Sequence, residues 1–169
     1  MVSAQTCTWK HSHMLMGQIL ETFGKMVPVE KLSGACLSNH SLPDIKSLYQ
    51  IQKAESAAIA VSEVFNQTLQ FYRTNQKTLD YEQRAQERLE QLLHDQQVEL
   101  SDCIPGGSEN QLFIKRIRQR FVSLQKILEE QEDKLCAQTI VHSDIRTNLL
   151  LTAQLSFRMR RLRLLKKLP

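Results

Sequence analysis

Four cysteines, at positions 7, 36, 103 and 136, are the residues of greatest chemical potential in this 169-residue chain. Their number is even, and no two form a Cys-x-x-Cys pair. Structural zinc sites use close ligand pairs. The wide spacing therefore suits two disulfides, for which the sequence alone allows three connectivities, against an alternative of four free thiols in a cytosolic protein. The pair His11 and His13 would hold a metal only on an extended segment, and a solvated flank is the simpler reading. The chain has no His-Glu-x-x-His, no glycine-rich phosphate loop and no evident nucleophile–base pair. Neither catalysis nor a metal or other cofactor is therefore expected.

Charge is the other chemical feature. Arg158, Arg160, Arg161, Arg163, Lys166 and Lys167 are interleaved with Met159, Leu162, Leu164, Leu165 and Leu168. Such a tail suits weak contact with an anionic polysaccharide, a membrane surface or nucleic acid. It would equally complement the dipole of a helix ending there. The run Glu129-Glu130-Gln131-Glu132-Asp133 reads as acids at a helix C-terminus, which is unfavourable. It calls for a basic neighbour or a partner. Two sequons, Asn39-His40-Ser41 and Asn66-Gln67-Thr68, are candidate glycosylation sites.

These residues must be positioned by helices. Aromatic residues make up 6% of the chain, with five Gly and four Pro, too few turn and strand formers for a β-sandwich. Apolar residues recur every three or four positions in five segments, and strand alternation appears nowhere. The spacing predicts helices over about 12–26, 48–73, 79–102, 110–134 and 139–167, in a single domain spanning residues 1–169. Pro28 ends the first, and Pro105-Gly106-Gly107 separates the third from the fourth. In the fifth, Val141, Ile145, Leu149 and Thr152 form the inward stripe, leaving His142, Arg146 and Leu150 as an outward column. A net charge of +4 is only mildly basic, and no apolar run approaches the roughly 18 residues of a membrane span. The first residues, Met1-Val2-Ser3, lack the basic start and apolar stretch of a signal peptide, as in a cytosolic protein or a mature secreted one.

The connection over 27–47 is long enough to return along a bundle, so helix 2 is expected to run parallel to helix 1. Short links after helices 2, 3 and 4 imply antiparallel neighbours. The fold class is thus all-α: an up-up-down-down, long-crossover bundle with a fifth helix. That topology selects among the cysteine pairings. A helix of about 24 residues spans about 36 Å, so Cys103 and Cys136 at its two ends cannot bond. Cys7 and Cys103 fall at one pole and Cys36 and Cys136 at the other. Both bridges need an oxidising compartment.

Four cysteines in this order, on this helix pattern, resemble a vertebrate type I interferon. Local matches are Cys36-Leu37 opening a polar loop to Pro43, Gln52-Lys53-Ala54-Glu55, Arg118-Gln119-Arg120-Phe121, and Cys136-Ala137 followed by Ile140-Val141 and Ile145. Gln138 replaces the tryptophan of the family's Cys-Ala-Trp segment. The departures point to a divergent member, from a fish or another non-mammal. The resemblance implies a secreted, monomeric cytokine that bridges two receptor chains and induces an antiviral state. It implies one receptor face at Leu37, His40, His142, Ser143, Arg146, Thr147 and Leu150, and another at Leu69, His94 and Arg118. His40 and His142 stand where mammalian members carry Arg, which would make those contacts sensitive to pH. The competing reading is a cytosolic helical scaffold or nucleic-acid-binding module using basic helices 4 and 5.

Overall fold

The computed structural model describes residues 12–27, 36, 50, 51, 53–104 and 112–166, with residues 12, 13, 102, 112 and 162–166 described as backbone only. Five α-helices form: α1 (Ser12–Met26), α2 (Ala54–Thr74), α3 (Gln83–Leu100), α4 (Leu112–Glu130) and α5 (Lys134–Lys166). A 3-10 turn, Ser101–Cys103, extends α3, and the described residues include no strand. The architecture is all-α.

Contacts between helices fix their directions. The Glu82 N–H donates to the Met26 carbonyl at 3.0 Å, so α3 begins where α1 ends and the two are antiparallel. Arg73 pairs with Glu90 and Gln97 with the Ser62 carbonyl, rising along one helix and falling along the other, so α2 and α3 are antiparallel too. It follows that α1 and α2 run parallel, as the crossover requires. Arg118 meets Glu63 and Gln125 meets Asn75, which makes α4 parallel to α2. Tyr72 meets His142 and Thr78 meets Gln138, which makes α5 antiparallel to it. The expectation that α3 and α4 are neighbours needs correction. α3 packs chiefly on α1 and less on α2, α4 packs on α2 and α5, and α5 packs on α1, α2 and α4.

The core follows the helical period. Ile19 and Phe23 of α1, Phe65 and Tyr72 of α2, Leu92 and Leu93 of α3, Ile117, Leu124 and Leu128 of α4, and Ile145 of α5 are all but fully buried. Each contributes about 1.5–3 kcal/mol by leaving water. Tyr72 is the aromatic hub, with Phe23, Phe71 and Tyr81 edge-on at centroid distances of 6.3, 5.9 and 5.5 Å.

Side-chain caps move two boundaries from their expected places, and a third moves without one. The Glu82 carboxylate accepts from the N–H groups of Arg84 (3.2 Å) and Ala85 (2.6 Å), so α3 starts at Gln83 and not near 79. The Asp133 carboxylate accepts from the Cys136 N–H at 3.1 Å, starting α5 at Lys134 and not near 139. The acidic run is thereby divided. Its first two residues close α4 at Glu130, and its last caps α5, where a negative charge favours the helix dipole. At α2 the extended backbone of Lys53, φ −89° and ψ 131°, precedes a start at Ala54, not near 48.

Cys36 and Cys136 form a disulfide with a Cα–Cα distance of 5.1 Å across 100 residues of sequence. A closed loop of that order stabilises by about 4–5 kcal/mol in the chain-entropy model. Cys103 is buried and disulfide-bonded. Its expected partner, Cys7, lies outside the described residues. Among the described residues no helix is long and apolar enough to cross a membrane.

Candidate functional site

The candidate surface is built on α5, whose 33 residues make it the longest helix. Its inner side is unusually broad. Besides the aliphatic stripe Val141, Ile145 and Leu149, it buries Thr139, His142, Asp144, Asn148, Thr152 and Ser156. A helix buried over so wide an arc leaves only a narrow outer strip, and that strip carries Arg146, Thr147 and Leu150 exposed with Ser143 at its edge. The Thr147 hydroxyl donates to the Ser143 carbonyl at 3.0 Å, so it is engaged within the helix. Arg146 makes no hydrogen bond or ion pair among the described residues.

Beside this strip, Asp144 is held by Arg120 of α4 through two contacts, Nε to Oδ2 at 2.9 Å and Nη2 to Oδ1, and by Asn148 at 3.2 Å. Arg120 and Asp144 side chains are 14% and 8% exposed, so the pair is largely desolvated and its bidentate geometry fixes α4 against α5. Sequence reasoning missed this pair. The available signal was an acid on the stripe of α5 and an arginine beside Phe121 on α4.

His142 does not belong to the outward column. It is 2% exposed. Its ring stacks on Tyr72 at 5.7 Å with an interplanar angle of 9°, and its Nδ1 lies 2.8 Å from the Tyr72 hydroxyl. Burial holds His142 down at a pKa of about 4, against the opposing charge and backbone of Asp80. Burial raises the Tyr72 pKa well above its usual value, and Tyr81 adds to that. Both rings are therefore neutral and share one hydrogen bond whose direction is set by the imidazole tautomer, and His142 Nε2 is buried without a hydrogen-bond partner among the described residues. The physical reason for the misplacement is rotation. Each i, i+4 step turns about 40° around a helix, so the His142, Arg146, Leu150 column crosses from core to surface.

The second expected face needs a similar correction. Leu69 is 8% exposed and packs in the core, as the apolar stripe of α2 itself suggests. His94 on α3 and Arg118 on α4 are exposed. Arg118 Nε donates to Glu63 Oε1 at 2.6 Å, tying α4 to the outer side of α2. Near it, Gln67, Gln70, Phe71, Thr74, Phe121, Val122 and Gln125 line a shallow groove of about 160 Å³ between α2 and α4.

Leu37, His40 and the sequon at Asn39 lie outside the described residues, as do the side chains of His11 and His13. Asn66 is half-buried within α2, and the hydroxyl of Thr68 is buried and donates to the Val64 carbonyl at 2.7 Å. That sequon is therefore a helical site and not a loop site. No group of three or more potential metal ligands occurs among the described residues.

Gln138, at the position of the missing tryptophan, has a defined task. Its carbonyl accepts from the Asp80 N–H at 3.3 Å and its amide donates to the Thr78 carbonyl at 3.2 Å. One side chain thus satisfies two backbone groups of the α2–α3 connection and clasps it to the start of α5.

Parallel first and second helices joined by a long crossover, and a bridge from that crossover to the last helix, define a helical cytokine. The interferon alpha/beta domain model matches residues 10–159, and the chain belongs to that family. A comparison with curated proteins finds no match. Members of the family are secreted cytokines, and this chain is an interferon-like cytokine.

Proposed function

We propose that the protein acts outside the cell as a monomeric ligand that bridges two receptor chains and so triggers antiviral signalling. Family membership over residues 10–159 carries the reading. One receptor contact is the outer strip of α5, Ser143, Arg146, Thr147 and Leu150, joined by Leu37 and His40 of the crossover. The other is the α2, α3 and α4 surface bearing His94 and Arg118. The exposed, unpaired state of Arg146 supports the first assignment, because an arginine held for no internal contact is available to a partner. The Cys36–Cys136 bridge disfavours the cytosolic scaffold reading, since such bonds persist in oxidising compartments.

The test is a reporter assay for interferon-responsive transcription in cells of the matching animal group. Folded, fully disulfide-bonded protein should induce the reporter, and cells lacking either receptor chain should not respond. Induction that needs only one chain would refute bridging. No induction by folded protein would refute the signalling role.

A further inference from the structure

Charge is distributed unevenly along the bundle. The pole that holds the α2–α3 and α4–α5 connections mixes Asp80, Glu82, Glu129, Glu130, Glu132 and Asp133 with Arg73, Lys77, Arg84, Lys126 and Lys134, so its charges largely cancel. The opposite half of the same antiparallel helices carries Lys115 and Arg116 at the start of α4 and Arg158, Arg160 and Arg161 toward the end of α5. The ladder through Arg120 and Asp144 sets their relation. Lys115 stands level with about residue 149 of α5, so Arg160 lies roughly 16 Å further along the bundle axis. Lys115, Arg160 and Arg161 are exposed and make no ion pair among the described residues.

We propose that this half of the molecule is a binding site for a sulfated polysaccharide, with Arg160 and Arg161 as its centre and Lys115 at its far edge. A linear polyanion is the ligand whose charges recur over such a span. Arginine favours it, because the planar guanidinium forks onto sulfate oxygens where an ammonium offers a point charge. An interfacial lipid helix would need its cations on one face and an apolar face opposite. Arg158, Arg160 and Arg161 do fall within about 160° of arc at about 100° per residue, but the apolar face opposite them, Leu155 and Met159, is buried in the bundle core and closed to lipid. Single-stranded nucleic acid would call for successive aromatic platforms, and Phe157 is the one aromatic side chain on this stretch of α5. The choice of a polysaccharide over nucleic acid rests on the extracellular reading above. The binding itself does not.

Full-length protein and the double variant Arg160→Ala/Arg161→Ala, each checked for unchanged thermal melting, are passed over immobilised heparin at 0.15 M salt. The expected result is retention of the wild type and roughly tenfold weaker binding of the variant, with a shallower dependence on salt. Lys115→Ala should weaken binding less. Heparin stripped of sulfate should not compete. Absence of retention, equal binding by the double variant, or equal competition by desulfated heparin would overturn the site. Preferred binding to a DNA duplex or to phosphatidylserine vesicles of matched charge would overturn the ligand class. Receptor signalling is measured in the same preparations, so a failed heparin test with intact signalling refutes this proposal alone.

Discussion

His142 and Arg146 stand one turn apart on α5, and the two sides they represent differ in kind. On the inner side every polar group is committed to a named neighbour or costs stability by lacking one. His142 has Tyr72, Asp144 has Arg120 and Asn148, and Thr152 donates to the Leu149 carbonyl at 2.7 Å. On the outer side, Arg146 and Leu150 face solvent with no such commitments. Composition does not distinguish the sides, since both carry charge. Pairing does. The same residue type therefore means different things on each side: Arg120 fixes two helices, and Arg146 is left for something outside the chain.

Breaking the inner side should cost most at the Arg120–Asp144 pair. Removing one partner of a desolvated ion pair strands the other charge, so Arg120→Ala is expected to destabilise by about 3 kcal/mol or more. Urea unfolding measures it. The double variant Arg120→Met/Asp144→Leu should recover most of the loss, because the penalty comes from the stranded charge and not from the missing attraction. No recovery would mean that the pair contributes through geometry. Ile145→Ala comes next, with an expected loss of about 2–4 kcal/mol for a fully buried side chain. A loss below about 1 kcal/mol would place the centre of the core elsewhere.

The buried histidine sharpens the comparison through pH. Its folded pKa of about 4 lies below the ordinary 6.5, so the unfolded chain takes up this proton first as pH falls. Stability from His142 is therefore full above about pH 6.5, declines as pH drops toward about 4, and changes no further below that. The most this group can contribute to that decline is about 3 kcal/mol. Thermal melts from pH 7 to pH 4.5 should show a smaller loss for His142→Gln, which keeps an acceptor for Tyr72 without a titrating ring. Equal slopes for the two proteins would show that other groups, and not His142, carry the acid response.

What the sequence reveals of these features depends on their range. Helical period is local, and it places Ile19, Phe65, Ile117 and Ile145 inside correctly because each reads only its own helix. The period also puts Leu69 on the inner stripe of α2, against the role the family resemblance implies for it. Caps are less legible. Glu82 and Asp133 look like interior or terminal acids until the neighbouring N–H groups are in place to be accepted. Contacts across 70 residues, such as Tyr72 with His142, leave no local trace at all. The 40° drift of an i, i+4 column is legible in principle. It becomes decisive only once the width of the buried arc is known, and the packing of α1, α2 and α4 around α5 sets that width.

The smallest expected effect on stability is the most informative one about the outer side. Arg146 has no internal partner among the described residues, so Arg146→Ala removes no contact that holds the fold and should change stability by less than about 0.5 kcal/mol. If the strip meets a receptor, the same change removes a long side chain of the type that dominates interface energetics. A tenfold loss of affinity, about 1.4 kcal/mol, is then the expected minimum. Both quantities are measured on one preparation, by thermal melting and by surface binding to the isolated receptor ectodomains, with Ile145→Ala as the control that loses stability. Leu150→Ala, two turns from the Ser143 edge and also exposed, should weaken binding to the same receptor chain and not to the other. Unchanged affinity for both chains in Arg146→Ala would mean that an unpaired arginine on α5 is not a receptor contact, and the outer strip would lose its assignment.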